Sequence, residues 1–410
     1  MAAASTPQAV GSDGADPREL RRLVLLVGAA VLIDTTFYAV VAPLLPQLSH
    51  ALHLSKLGAG VLTACYAAGM LLASLPGGYL AVALGPRVAL SIGLGLLFAS
   101  TVAFALLHST LGLDTARFCE GVGGAFSWDG GVAWLVLAAP AARRGTVIGQ
   151  AVSAAIAGSV AGPAVGALAS ATGRAALFIA LATLALVLVL ATWLVRAPAR
   201  RLEPDPSDPI VSPRRAIGSL LGRPLGRGAL WMMALPAMAA GSLTVLGSLR
   251  LHALGAGAGV IGATFIGASI LETATSSGVG VVSDRRGRLA PLIVAFSVAG
   301  AAIACFSAAP SAVALVAVIA LSTAGLGGAW TPVMALLADL SEGVGLDQAL
   351  GAGLMNVAWA TGQILGSGGG GALARLAGDA TVTLLLGACL LLTAAVLTRH
   401  RGAVLTASPG

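Results

Sequence analysis

The chain has 410 residues, 57% hydrophobic and 10% charged, with a net charge of +7 and a mean hydropathy of +0.95. A soluble domain of ordinary composition carries about 25% charged residues to cover its surface, so this composition excludes one and puts the chain in lipid. The basic residues fall between apolar runs rather than on one basic face, which argues against nucleic acid as a partner.

The N-terminal stretch "MAAASTPQAVGSDGADPREL" is polar and acidic and does not read as a secretory signal peptide. Twelve apolar runs follow, at roughly 22–46, 57–82, 87–108, 112–138, 145–170, 175–195, 229–250, 257–282, 289–308, 311–338, 348–373 and 380–398. Each is near the ~20 residues a membrane-crossing helix needs. Long uninterrupted runs predict helices and not a barrel, so the fold class is an all-α membrane protein with twelve transmembrane helices. The longest gap, 196–228, is rich in proline and mixed charge and reads as a polar linker. It divides the chain into a tail (1–21), a six-helix bundle (22–195), the linker, a second six-helix bundle (229–398) and a C-terminal tail (399–410).

With the N-terminus inside, 18 of the 23 basic residues fall on the cytoplasmic side and 4 outside, and Arg117 lies within a span. That asymmetry predicts a multi-pass protein of the cell (plasma or inner) membrane with both termini cytoplasmic. Cys65, Cys119, Cys305 and Cys389 stand singly, with neither metal-ligand spacing nor a disulfide framework. No metal or cofactor is expected.

The halves repeat at a nearly constant offset. "GVGGAFSW" (121–128) aligns with "GLGGAWTP" (325–332), "GYLAVALGPR" (78–87) with "GVVSDRRGRL" (280–289), and "GSVAGPAVGA" (158–167) with "GQILGSGGGG" (362–371), at offsets of 202 to 204. Two homologous bundles facing each other place a substrate site near the midplane of their interface.

Three stretches carry a family resemblance. "GVVSDRRGR" supplies Gly280, Asp284, Arg285, Gly287 and Arg288 in the pattern G-x-x-x-D-R-x-G-R. The first-half loop keeps Gly78, Gly85 and Arg87 but has Val82 and Ala83 in place of the Asp-Arg pair. "RFCEGVGGA" supplies Arg117 in R-x-x-x-G-x-G-G. The fifth span supplies Gly158, Gly162, Pro163 and Gly166 in G-x-x-x-G-P-x-x-G. Together they resemble the major facilitator superfamily, and within it the twelve-helix drug:proton antiporters. The resemblance runs from the first helix to the twelfth.

Each stretch also has a physical reading. The carboxylate of Asp284 would accept from a helix N-terminus or from Arg143 and Arg144, latching the cytoplasmic side. Asp347 could cap the eleventh helix. An arginine as deep as Arg117 is costly unless paired; the resemblance links it to proton coupling, and Glu120 is three residues away on nearly the same face. The glycines of the fifth span form one stripe for close approach to another helix. Pro163 has no N–H to give the carbonyl of Ser159.

Four acids fall inside spans: Asp34, Glu120, Asp129 and Glu272. Ionisable groups there are functional candidates by default. Asp34 is the first choice for the proton carrier, because "LIDTTFYAVVAPLLPQL" also resembles the antiporter and vesicular amine transporter branch. Phe37 and Tyr38 follow at i+3 and i+4, where they could meet an aromatic or cationic substrate. Asp129 is nine residues from Glu120 and points to the opposite side. Asn356, Trp359 and Gln363 form a polar and aromatic stripe in the eleventh helix, and Trp330 precedes Thr331-Pro332 in the tenth.

The expected function is proton-coupled export of small amphiphilic or cationic molecules by alternating access. Symport of a nutrient such as a sugar is the alternative; a receptor or channel comes last. No catalytic constellation predicts an enzyme. The expected partners are a small-molecule substrate, protons and membrane lipid, and the expected state is a monomer.

Overall fold

The computed structural model describes residues 16–197, 213–345 and 348–399. Every regular element among them is helical. Helix α1 runs Pro17–Ala39 and, after a break at Val40, continues as Val41–Ala51. Then come α2 (Lys56–Ala83), α3 (Pro86–Leu106), α4 (Thr110–Ala138), α5 (Arg144–Thr172) and α6 (Arg174–Leu194). In the second half, α7 runs Pro224–Ser242 and continues through a π turn, Leu243–Gly247, to Ser248–Ala253. It is followed by α8 (Ala258–Arg286), α9 (Leu289–Ala304) and α10 (Ala312–Glu342). Helix α11 is Gln348–Ile364, a π turn at Leu365–Gly369, then Gly370–Ala377; α12 is Asp379–Arg399.

Ten of these helices are long and apolar enough to cross a membrane by length and composition. The other two, α4 and α11, are diluted by charge and by glycine and amide residues. Helix α4 has 29 residues, or ~44 Å at the α-helical rise, ample for a hydrocarbon core of about 30 Å.

The predicted boundaries shift at two places. The first helix begins at Pro17, inside the expected tail, because Asp16 caps it by accepting from the N–H of Arg18 at 3.0 Å. The expected linker contains a helix, Pro213–Gly222, and the first turn of α7; prolines at 213 and 224 preset the first helical residue.

The internal repeat reappears as shared local chemistry. Ser109 and Ser311, 202 residues apart, cap α4 and α10 through their hydroxyls. Gly85 (φ 93°) and Gly287 (φ 83°) make the tight turns into α3 and α9, a backbone region that favours glycine. Packing follows the same plan. Helix α4 packs on α2 and α3 as α10 packs on α8 and α9; α5 lies on α1 as α11 lies on α7; α3 pairs with α6 as α9 with α12. Between the halves, α5 meets α8 and α2 meets α11. This seam positions the site.

Candidate functional site

The end of the bundle that carries the α1–α2 and α11–α12 turns, opposite both termini, is called the far end below. Seam contacts run from there to the middle. Lys56 at the start of α2 pairs with Asp379 at the start of α12 at 2.5 Å. A Cβ added at Gly262 of α8 would lie 2.7 Å from Ala167 Cβ and 3.0 Å from the carbonyl of Pro163. One added at Gly60 of α2 would strike the carbonyl of Ser367 in α11. In the middle, the Ser269 hydroxyl of α8 donates to the carbonyl of Ser159 in α5 at 3.3 Å. This is the carbonyl that Pro163 cannot engage. His50 and His252, at the ends of α1 and α7, line one far-end cavity of about 530 Å³ with Gln47 and Ser170. Their separation of 202 residues is the repeat offset, which the spacing of the histidines alone did not suggest.

Beside the seam, α1, α2 and α4 build a buried polar cluster. Asp34 is 2% exposed and accepts from the Tyr66 hydroxyl at 2.8 Å. Arg117, 1% exposed, donates to Glu120 at 2.8 Å. It also donates to the carbonyl of Phe37 at 2.6 Å and to that of Tyr38 at 3.4 Å, and its guanidinium lies 5.1 Å from the Tyr66 ring centroid. The break at Val40 leaves these α1 carbonyls available. Glycines of the "GVGG" run allow the approach. A Cβ at Gly121 would strike the backbone of Tyr66, and one at Gly124 would meet Asp34 and, at 2.9 Å, the Tyr66 hydroxyl. Gly123 faces α3 instead, 2.9 Å from the carbonyl of Gly93 by the same construction. The motif therefore serves three neighbouring helices at once.

Aromatic contacts carry the cluster to the second half. The rings of Tyr38 and Tyr66 are 5.2 Å apart, and those of Tyr38 and Trp359 5.6 Å. Gln363 donates to the Tyr38 hydroxyl at 2.8 Å. In the second half, the Trp330 indole donates to Glu272 at 2.6 Å, and Ser276 and Thr331 share a hydrogen bond at 2.8 Å. Asp34, Arg117, Glu120, Tyr38, Trp359 and Gln363 are thus brought together, and Glu272 and Trp330 form a second pair between α8 and α10.

Other expected residues go elsewhere. Phe37 was expected, with Tyr38, to share the face of Asp34 and meet a substrate; it is fully buried and stacks on Phe178 at 6.3 Å, with Phe104 beyond. Its ring fills the first-half core, stacked on α6. Asp129 lies apart, against Gly77 of α2 and nearer the termini, with one carboxylate oxygen unpartnered. Asn356 is half-buried in α11. The α5 stripe lies along α1: a Cβ at Gly158, Gly162 or Gly166 would strike the carbonyls of Leu32, Thr36 or Val40 respectively. Helix α11 has Ser367 where α5 has Pro163, and it loosens its ladder with the π turn instead.

In the loop motifs, Arg288 pairs with Asp339 of α10, a partner not anticipated. Arg87, the arginine of the first-half loop, donates to the carbonyl of Val195 at 2.6 Å and lies 5.0 Å from the Trp134 ring centroid. Gly280 packs on Thr331, Gly78 has open space, and Arg285 is exposed. The side chain of Asp284 and the whole of Asp347 lie outside the described residues. Tyr66 and Ser269 were not singled out from sequence. Tyr66 is one of only three tyrosines and stands in a run of small residues, which is a readable signal. Ser269 carries none.

Two helical bundles meeting at a polar seam define a transporter fold. The family model of the Major Facilitator Superfamily matches residues 27–252, and the chain belongs to that family. No curated protein matches it in sequence. Among solved structures, it is similar to the xylose transporter XylE from E. coli in a partially occluded inward open conformation, with a TM-score of 0.70 and 16% identity. The match covers 93% of this chain and 99% of that one. At this identity the likeness concerns the fold.

Proposed function

We propose that the chain is a proton-coupled secondary transporter of a small organic molecule, working by alternating access, with Asp34 as the proton carrier. The observation that carries this reading is the buried cluster in which Asp34 is held by Tyr66 beside the Arg117–Glu120 pair. A carboxylate inside a membrane bundle is rarely ornamental. This one is linked through Tyr66 and Tyr38 to the residues of the opposite half. Its protonation state therefore bears on the seam that alternating access must open and close. With both termini cytoplasmic, as the basic residues suggest, the far end is external and this conformation faces inward.

Import by symport is supported by the likeness to a xylose transporter and by Asn356, Trp359 and Gln363, amide and aromatic groups suited to hydroxyls. Export of a cationic molecule is supported by the Gly-Pro stripe of α5 and by the two buried acids, Asp34 in the first half and Glu272 in the second. Transport in proteoliposomes separates them. Symport requires labelled xylose or another sugar to accumulate when protons are driven inward. Export requires an organic cation such as ethidium to leave against its gradient in exchange for protons. A substrate-independent, channel-like current would defeat both.

A further inference from the structure

We propose that Asp114 is the far-end port of a hydrated proton file that runs down α4 to Glu120 and Asp34, with Arg117 standing in it as the gate. The inference rests on the proton-coupled reading and names its route. Asp114 lies about one turn into α4 and is only half-buried, yet its Oδ1 is shielded and has no partner. Three residues on, Arg117 has an unpartnered Nε; three further, Glu120 has an unpartnered Oε1. Both of these side chains are 1% exposed. Steps of three residues keep the atoms on adjoining faces of the helix, each step descending ~4.5 Å. Buried polar atoms without protein partners are normally met by internal water. Three of them in sequence on one helix, beginning at a half-buried carboxylate near the far end, are the observation on which the file rests.

The file ends where it is needed. One turn below Glu120, Gly124 sits against Asp34 and Tyr66. Three further unpartnered atoms on α4 fall off this line: Ser127 faces Gly93 of α3, Asp129 faces Gly77 of α2, and the Trp134 indole lies nearer the termini with Arg87 over its ring. Around the port, α2 contributes the Cys65 thiol, on which the Asp114 charge acts, α4 contributes Arg117, and α1 contributes the Phe37 and Tyr38 carbonyls that hold Arg117. A fixed positive charge in a water file blocks protons. While Arg117 holds Glu120, the file is shut. When the guanidinium swings aside, a proton taken by the Asp114 carboxylate from far-side water passes by water to Glu120 and on to Asp34. One proton enters and one arrives.

The test needs no substrate. In sealed proteoliposomes, the far-side medium is acidified rapidly and the protonated-carboxyl infrared band is followed in time, with the Asp34 component assigned by its loss in Asp34→Asn. Asp114→Asn should slow the rise of that component by about a hundredfold, the loss typical of removing one proton-transfer group, with its final amplitude kept. Asp114→Glu should restore most of the rate, and Asp114→Ser should be as slow as Asn. A parent-like rate in Asp114→Asn overturns the file, as does a Glu variant no faster than the Asn variant. A band indifferent to Asp34→Asn removes the proton-carrier reading itself, and the file with it.

Discussion

Ser269 of α8 donates a hydrogen bond to the carbonyl of Ser159 in α5, across the seam between the halves. That carbonyl is free because residue 163, which would supply its helical partner, is a proline. The Gly-Pro stretch thus lends a backbone acceptor to the opposite half while its glycines seat α5 on α1. Pro163→Ser restores the N–H, and Ser269→Ala removes the cross-seam donor. Either change should weaken far-end closure by about 0.5–1.5 kcal/mol, the net worth of one hydrogen bond. The combined variant should add little, because both remove the same contact. The labelling rate of a cysteine placed at Gly257, by a bulky thiol reagent, reads the far-end opening directly.

Arg117→Ala strands Glu120 in the bundle. Breaking a buried pair by removing one partner costs about 3–5 kcal/mol, so thermal unfolding in detergent should show a large loss. Adding Glu120→Gln should recover most of it, since the stranded charge is then gone. A stable Arg117→Ala protein would mean that the pair is solvated and not buried as found.

Glycines differ sharply in what they permit. At Gly162, a Cβ would lie 2.6 Å from Ala39 Cβ and 2.7 Å from the Thr36 carbonyl. Gly162→Leu should therefore cost about 1–3 kcal/mol through overpacking. Gly267 of α8 has open space at its Cβ position, and Gly267→Ala should stabilise by up to about 1 kcal/mol through helix propensity. Paired melting curves check both signs.

The Lys56–Asp379 pair joins the halves at the far end, but Lys56 is 37% exposed. Such pairs are worth roughly 0.2–1 kcal/mol and are screened by salt. Lys56→Gln should raise far-end labelling modestly in dilute buffer, and the difference should vanish in concentrated salt. A salt-independent effect would point to packing by the lysine stem.

The spans, the twofold repeat and the Arg117–Glu120 pair were legible in the sequence because each follows from one helix read alone. Apolar length predicts a span, and a separation of three residues puts two side chains on one face. Relationships between helices were less legible. Phe37 shares a helix face with Asp34 but packs into the core, since the rotation of α1 and its interruption at Val40 are set by neighbours. The π turns in α7 and α11 leave no mark in residue spacing, and Ser269 is one serine among many until α5 lies opposite it. Pro163 falls between these cases: its missing donor was readable, and the recipient of the freed carbonyl was not.

Coupling of the Asp34 proton to the seam is tested most directly by pulsed electron paramagnetic resonance. Spin labels at His50→Cys and His252→Cys, in an otherwise cysteine-free chain, report the far-end distance between the halves in lipid. Acidification should shift the distance distribution of the parent, whereas Asp34→Asn should hold one distribution at every pH. An Asp34→Asn protein whose far end follows pH as the parent does would contradict the role given to Asp34.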